Sequence, residues 1–332
     1  MKFILPFLLI SVILLSSCDP FNRDYKFEYD IIISDIPSNL EKLNTEYDDY
    51  NSDLPYPYSF LNIYFSSNRN SNGDDYDIVF KSIDISYHEK DNILNFSVPS
   101  TDWINSFRDK LFPLINTQSD EYGPYSFSGP HGWDYFFYAN NETGDFDIKF
   151  VYTKRLDWGT YEAQERLYGP QNLALVNSDY DDLYPTINQN TSKLLFCSNR
   201  ENNQFDIFNA DINTENFLPE YLFTTNSIPI SKVEVLSSTS NDKCPSITNN
   251  LLVFASDRDG GYGGYDLYYS LYADKKWSEP VNFGDKINSE DDEYRPITFT
   301  FNKFDIMIYS SNRPGGKGGY DLYSVIIEDL IK

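Results

Sequence analysis

The chain has 332 residues, with 26 basic against 51 acidic side chains and a formal net charge of −25. That balance excludes a nucleic-acid binder, whose phosphate partner demands a basic surface. Tyr (28) and Phe (25) are abundant while His (2) and Met (2) are scarce, the profile of an acidic, aromatic-rich β protein working outside the cytoplasm.

In chain order, Met1-Lys2 leads into a largely apolar run over residues 3–15, then Ser16-Ser17-Cys18. A run of this length behind one positive charge is too short to span a bilayer and has the layout of a secretory signal. Small residues ahead of a cysteine resemble the bacterial lipobox. The resemblance implies removal of residues 1–17, lipidation of Cys18, and a tether over 18–24 that leaves the chain on a membrane of the cell envelope. Asp19 tilts that expectation towards the outer membrane, with the leaflet open. Three acyl chains anchor far more firmly than one. No further membrane segment is expected.

Residues 25–36, "YKFEYDIIISDI", read as an apolar strand. Beyond them the chain repeats itself. An acidic phrase ending in proline recurs five times, as "LNTEYDDYNSDLPYP", "INTQSDEYGP", "VNSDYDDLYP", "LSSTSNDKCP" and "INSEDDEYRP". Each copy is followed by a Ser-Asn-Arg-like triplet and then an aromatic-Asp-Ile/Leu step, whose aspartates are Asp77, Asp147, Asp206, Asp266 and Asp321. These are spaced 70, 59, 60 and 55 residues apart. A period near 60 that holds several short alternating strands separated by turns predicts an all-β fold, a β-propeller with four antiparallel strands per blade. Five blades follow from five copies; six is the alternative, with residues 86–114 forming the extra one. That insertion contains "STDWINSFRDKLFPLIN", where Ser100 or Thr101 is placed to cap a short helix. The last copy stops after its third strand, so a strand near residues 25–36 is expected to pair near 320–327 and close the ring, making one domain over 25–332.

The phrase Pro…Ser-Asn-Arg…Gly-Tyr-Asp-Ile/Leu-Tyr resembles the WD-repeat-like, TolB-type propeller repeats of bacterial envelope proteins over residues 43–326. "WSEPVNFG" from Trp277 is similar to repeats in lipoproteins carrying a peptidoglycan-binding domain. The resemblance implies a lipid-anchored, non-enzymatic module that docks an envelope protein or a glycan.

Arg69, Arg200, Arg258 and Arg313 precede Asp77, Asp206, Asp266 and Asp321 by 8, 6, 8 and 8 residues. Each hairpin is therefore expected to bring its guanidinium onto its own aspartate, as an architectural pair repeated in each of these blades. The second copy has Ala139-Asn140-Asn141 instead, so Asp147 is expected to lack an arginine. For catalysis the sequence offers little. His88 and His131 lie outside the repeated phrases, and there is no nucleophile elbow, zinc spacing or phosphate loop. The alternative reading is a carbohydrate-active enzyme or glycan-binding accessory that uses acidic residues of the channel. "DRDGG" at 257–261 hints at a calcium loop but lacks the regular ligand spacing, so neither a metal nor a cofactor is expected. Cys197 and Cys244 occupy different places in the repeat and are read as small core residues rather than a disulfide.

Overall fold

The computed structural model describes residues 29–331 apart from 56–60, 103–105, 155–165, 189–190, 216, 218 and 225–227. The expectations for the signal segment, Cys18 and the tether lie outside the described residues.

Five antiparallel sheets make a five-bladed propeller. The blades run from the inner strand outwards. Blade one is Asp49–Asp53, Leu61–Ser67, Asp77–His88 and Ile93–Ser97; blade two is Glu121–Ser128, Trp133–Asn140, Asp147–Lys154 and Tyr168–Asn172. Blade three is Asp182–Asn188, Lys193–Glu201, Gln204–Asp211 and Ile230–Lys232. Blade four is Asp242–Thr248, Leu251–Ser256 and Asp266–Ala273, with Lys276–Trp277 and Val281–Asn282 sharing its outer edge. Blade five is Glu293–Phe301, Phe304–Ser311 and Asp321–Ile326, completed by Ser38–Asn39 from the head of the chain.

The ring thus closes with the N-terminal segment, but a few residues later than the apolar run suggests. Ser38 and Asn39 pair with Ser324 and Tyr323, and Leu40 N–H donates to the Leu322 carbonyl at 2.9 Å. The apolar Ile31–Ile33 instead adds a fifth strand to the outside of blade one, against Leu94–Phe96. The polar pair wins the closing position because Asn39 and Asn44 supply side-chain bonds that the isoleucines lack. Asn39 Nδ2 reaches Asp321 at 3.0 Å, and Asn44 bonds both backbone groups of Leu322 at 2.9 and 3.0 Å.

The insertion builds no sixth blade. The third strand of blade one runs on to His88, the outer strand follows, and a helix, Ser106–Ile115, then lays Leu111 and Ile115 into a cluster with Tyr64, Ile78, Phe136, Tyr138 and Val151. The described helix begins at Ser106, and the capping expected of Ser100 or Thr101 falls where the chain adjoins residues outside the described ones; Asp102 accepts from Ser82 N–H and Lys81 Nζ. It fills the wedge between blades one and two. Cys197 and Cys244 are free and buried in one apolar cluster on the propeller axis. Among the described residues no helix is long and apolar enough to cross a membrane.

Candidate functional site

Every position of the acidic phrase has a structural task. Its apolar residue, Leu43, Ile115, Val176, Leu236 or Ile287, is buried between blades. The next residue staples the preceding blade: Asn44, Asn116, Asn177 and Asn288 each bond both backbone groups of the residue after the aromatic-Asp step, Leu322, Ile78, Ile148 and Leu267. The hydroxyl that follows donates to the carboxylate heading the inner strand, as in Thr45 to Asp49 (2.9 Å), Ser178 to Asp182 (2.8 Å) and Ser289 to Glu293 (2.7 Å). The residue before that carboxylate, Asp48, Asp120, Asp181, Asn241 or Asp292, accepts the backbone N–H of the aromatic residue one blade away at 2.8–3.1 Å. These latches fasten each blade to the next around the ring.

The inner-strand carboxylates are where the arginines go. The spacing predicts Arg69, Arg200, Arg258 and Arg313 against Asp77, Asp206, Asp266 and Asp321; the structure sets them against Asp49, Asp182, Asp242 and Glu293. Arg200 Nη2 lies 2.5 Å from Asp182 Oδ1 and 2.6 Å from the Val176 carbonyl, while its Nε donates to Ser198 Oγ at 3.0 Å. Its guanidinium also lies against Phe196 and Phe208, 5.1 and 5.2 Å from the ring centroids. The fork therefore satisfies a carboxylate, a hydroxyl and a carbonyl together, a combination the hairpin's own aspartate does not offer.

The aspartates of the aromatic-Asp step take other donors. Asp77 accepts from Asn70 (3.0 Å), Asp206 from Lys232 (3.3 Å), Asp266 from the Tyr262 and Gly263 N–H groups (2.7 and 3.2 Å), and Asp321 from those of Lys317 and Gly318 (2.5 and 3.2 Å). Asp147 accepts from Thr143 Oγ1 at 3.4 Å. The glycines in these hairpins allow close approach: a Cβ on Gly263 would stand 2.2 Å from the Asp291 carbonyl oxygen. The "DRDGG" segment is such a hairpin, with Asp257 accepting from the backbone and side chain of Asn241 at 2.6 and 2.9 Å. Among the described residues no group of three or more His, Cys, Asp or Glu is set to hold a metal. His88 packs edge-on to Tyr29 at 4.8 Å and His131 sits in a turn at φ 57°; neither lines the channel.

The channel is built differently. Two residues into each inner strand the pairing register slips, and the residue there, Asn51, Gly123, Tyr184, Cys244 or Arg295, has φ between 46° and 58°. In four blades proline follows directly. A β-bulge of this kind turns one side chain per blade towards the axis. The five differ, and two of them form the waist of the channel, Tyr184 lining the space above and Arg295 the space below. Tyr184 occupies the room left by Gly123, where a Cβ would come within 2.3 Å of its ring, and the Arg295 guanidinium lies 5.2 Å from the centre of the same ring.

Above the waist, on the face carrying the repeated phrases, Tyr50, Tyr122, Phe146, Phe205, Tyr265 and Tyr320 surround a basin of about 370 Å³, with Lys243 Nζ 3.8 Å from the Phe205 centroid. Below it, a polar cavity of about 350 Å³ takes one residue from each blade four positions past the inner-strand carboxylate: Asp53, Tyr125, Thr186, Ser246 and Ile297. That volume is in the range of small-ligand sites. Asp53 is 5 % exposed and accepts the Ser126 N–H at 3.0 Å. Burial pushes its carboxyl up to about 7, against the lowering effects of the Ser126 hydrogen bond and the Arg295 charge. Tyr125 Oη accepts from Ile187 N–H at 3.0 Å, and burial raises its hydroxyl to about 12, so it stays a phenol at neutral pH.

Asp53 and Arg295 belong to nothing that recurs in the sequence. Their signal is the reverse. Within a phrase repeated in five blades, the residue two places past the inner-strand carboxylate and the one two places further on change identity every time. Repetition marks the frame, and its breaks mark the channel.

No family model matches the chain, and no curated protein matches it. Solved structures are similar to it over most of its length. An endo-arabinase from Bacteroides thetaiotaomicron is 14 % identical, covering 88 % of this chain and 96 % of that one, with a TM-score of 0.49. An exo-beta-1,3-galactanase from Phanerochaete chrysosporium is 12 % identical, covering 91 % and 65 %, with a TM-score of 0.51. The GH43_1 enzyme from Xanthomonas citri is 11 % identical, covering 88 % and 89 %, with a TM-score of 0.49. These neighbours correct the resemblance drawn from the repeats: they are arabinanase- and galactanase-type propellers, not WD-repeat or TolB-type ones. The non-enzymatic docking module and the absence of enzymatic activity, which that resemblance implied, are corrected with it. At such identities the likeness itself establishes the propeller fold alone.

Proposed function

We propose that this chain is a carbohydrate-active propeller that takes a sugar residue into the axial cavity below the waist, with Asp53 as its acid. The observation that carries this reading is the placement of Asp53: a carboxyl that burial pushes up to about 7, so that a large share of it is protonated near neutral pH, on the wall of a polar cavity of ligand size, beside a guanidinium. A neutral carboxyl in such a place donates a proton to a glycosidic oxygen as the bond to the leaving group breaks. Thr186 and Asn188 add polar groups suited to sugar hydroxyls. Among the described lining residues Asp53 is the only carboxyl, so the wall supplies the acid half of the two-carboxylate arrangement of most glycosidases.

The test is release of reducing ends from a panel of neutral and acidic polysaccharides by the purified chain, with Asp53→Asn alongside. Loss of turnover by about 100-fold or more with retained melting temperature is expected, the size usual for a positioned acid. Turnover unchanged by Asp53→Asn, or no turnover on any glycan, would sink the proposal. We further propose that the protein works at the cell envelope, anchored by lipid on Cys18. Palmitate labelling that persists in Cys18→Ala would remove that part.

A further inference from the structure

We infer that the axial cavity selects a sugar bearing a carboxylate, such as a uronic acid, which Arg295 binds. This rests on the reading of the cavity as a glycan site and specifies its substrate class. The five-blade frame makes Arg295 stand out. Arg69, Arg200, Arg258 and Arg313 are each bonded to a fully buried carboxylate, whereas Arg295, only 1 % exposed, is in no ion pair among the described residues. A guanidinium carries five N–H donors. Arg295 uses Nη2 on the Pro124 carbonyl at 3.1 Å and stacks on Tyr184, and its Nε has no partner.

A buried, uncompensated cation is costly to keep unless a ligand neutralises it. The frame does not require one there, since Asn51, Gly123, Tyr184 and Cys244 hold the equivalent bulge positions in the other blades. Asp53 borders the same cavity but, with its carboxyl pushed up to about 7, is only partly ionised at neutral pH and leaves part of the positive charge unanswered. Asn51, in the neighbouring blade at the same level, is fully buried with neither amide atom bonded. A planar fork matches a carboxylate, which takes two parallel N–H bonds. The remaining polar wall is left for hydroxyls, so the ligand is a carboxylated sugar rather than a free small anion. In a chain with a net charge of −25, attraction of such a ligand is local to this point and opposed by the surface.

The test measures binding to the intact chain by calorimetry or ligand-observed NMR, using glucuronate and galacturonate, their methyl esters, the matching neutral hexoses and a sulfated hexose. Wild type is expected to bind at least one uronate about 10-fold or more tighter than its ester or hexose. Arg295→Asn, which keeps a residue tolerant of positive φ where blade one itself has Asn51, is expected to abolish that preference, and Arg295→Lys to retain part of it. Circular dichroism and melting temperature check that the variants fold. Even without any variant, equal binding of acid and methyl ester overturns the inference, as does equal preference for the sulfated sugar. If neutral glycans bind and turn over, and Arg295→Asn changes nothing, the inference falls while the glycan reading stands. If uronates bind through Arg295 but Asp53→Asn leaves turnover intact, the acid role of Asp53 falls and this inference stands.

Discussion

Blades two and three put the same kind of group in the same place and treat it differently. Asp182 heads the inner strand of blade three, fully buried, held by Ser178, Ser198-anchored Arg200 and the Phe196 and Phe208 rings around that arginine. Glu121 heads blade two, equally buried, and its carboxyl bonds Thr117 and Asn140, because the strand pairing sets Asn140-Asn141-Glu142, one residue along from the Ala139-Asn140-Asn141 read in the sequence, where blade three has Ser-Asn-Arg. The nearest cation, Lys149, sits where blade three has Phe208 and bonds Asn140 and Glu142 instead. Without a guanidinium, burial pushes the Glu121 carboxyl up to about 7. Both blades keep their shape. An inner-strand carboxylate can thus be held by charge or by neutralisation, and the second makes blade two sensitive to pH near neutrality.

The largest expected effect comes from converting blade three into an unclamped blade. Arg200→Met leaves Asp182 buried beside apolar rings and should cost about 3–5 kcal/mol in chemical denaturation, as breaking a buried pair does. A loss below about 1 kcal/mol would mean that the clamp is ornamental. Next comes pH. The folded carboxyl of Glu121 titrates near 7 and the unfolded one near 4.5, so its stabilising contribution is complete below pH 4.5 and is lost as pH rises through 7. Wild type should therefore lose on the order of 3 kcal/mol relative to Glu121→Gln between those limits. Parallel melting curves for the two proteins across that range would refute it. The smallest effect is the graft of the clamp into blade two. Asn140→Ser with Glu142→Arg should raise stability at pH 7.5 by about 1 kcal/mol, the scale of a charge-assisted bond set against a lost exposed pair. It should also flatten the pH dependence, and the second readout separates restoration of the clamp from a surface-charge effect.

The difference between these blades also explains which parts of the molecule were legible. The five acidic phrases and the Ser-Asn-Arg triplets fold into the same element five times, so their count predicts the blades. The break at Asn140 marks the blade that lacks an arginine. The partner of each arginine was not legible. Arg69 lies 8 residues from Asp77 and 20 from Asp49, and the nearer aspartate loses, although it faces Ser67 across the strands, because the farther one takes the Ser67 hydroxyl and shares the guanidinium with the Leu43 carbonyl. The apolar Ile31–Ile33 looked like the ring's last strand for a similar reason: hydrophobicity announces a strand but not its neighbour. Asparagine side chains chose Ser38–Asn39 instead.

The sequence by itself determined the architecture, because a propeller is one unit stated many times and agreement among copies separates its rules from accident. The tertiary structure alone decided the site. Asp53 and Arg295 are 242 residues apart in the chain and belong to no shared phrase. They meet because the inner strands of blades one and five, neighbours only after the ring closes, bulge at the same height and turn unlike side chains onto one axis. Closure creates that proximity, and no local pattern encodes it.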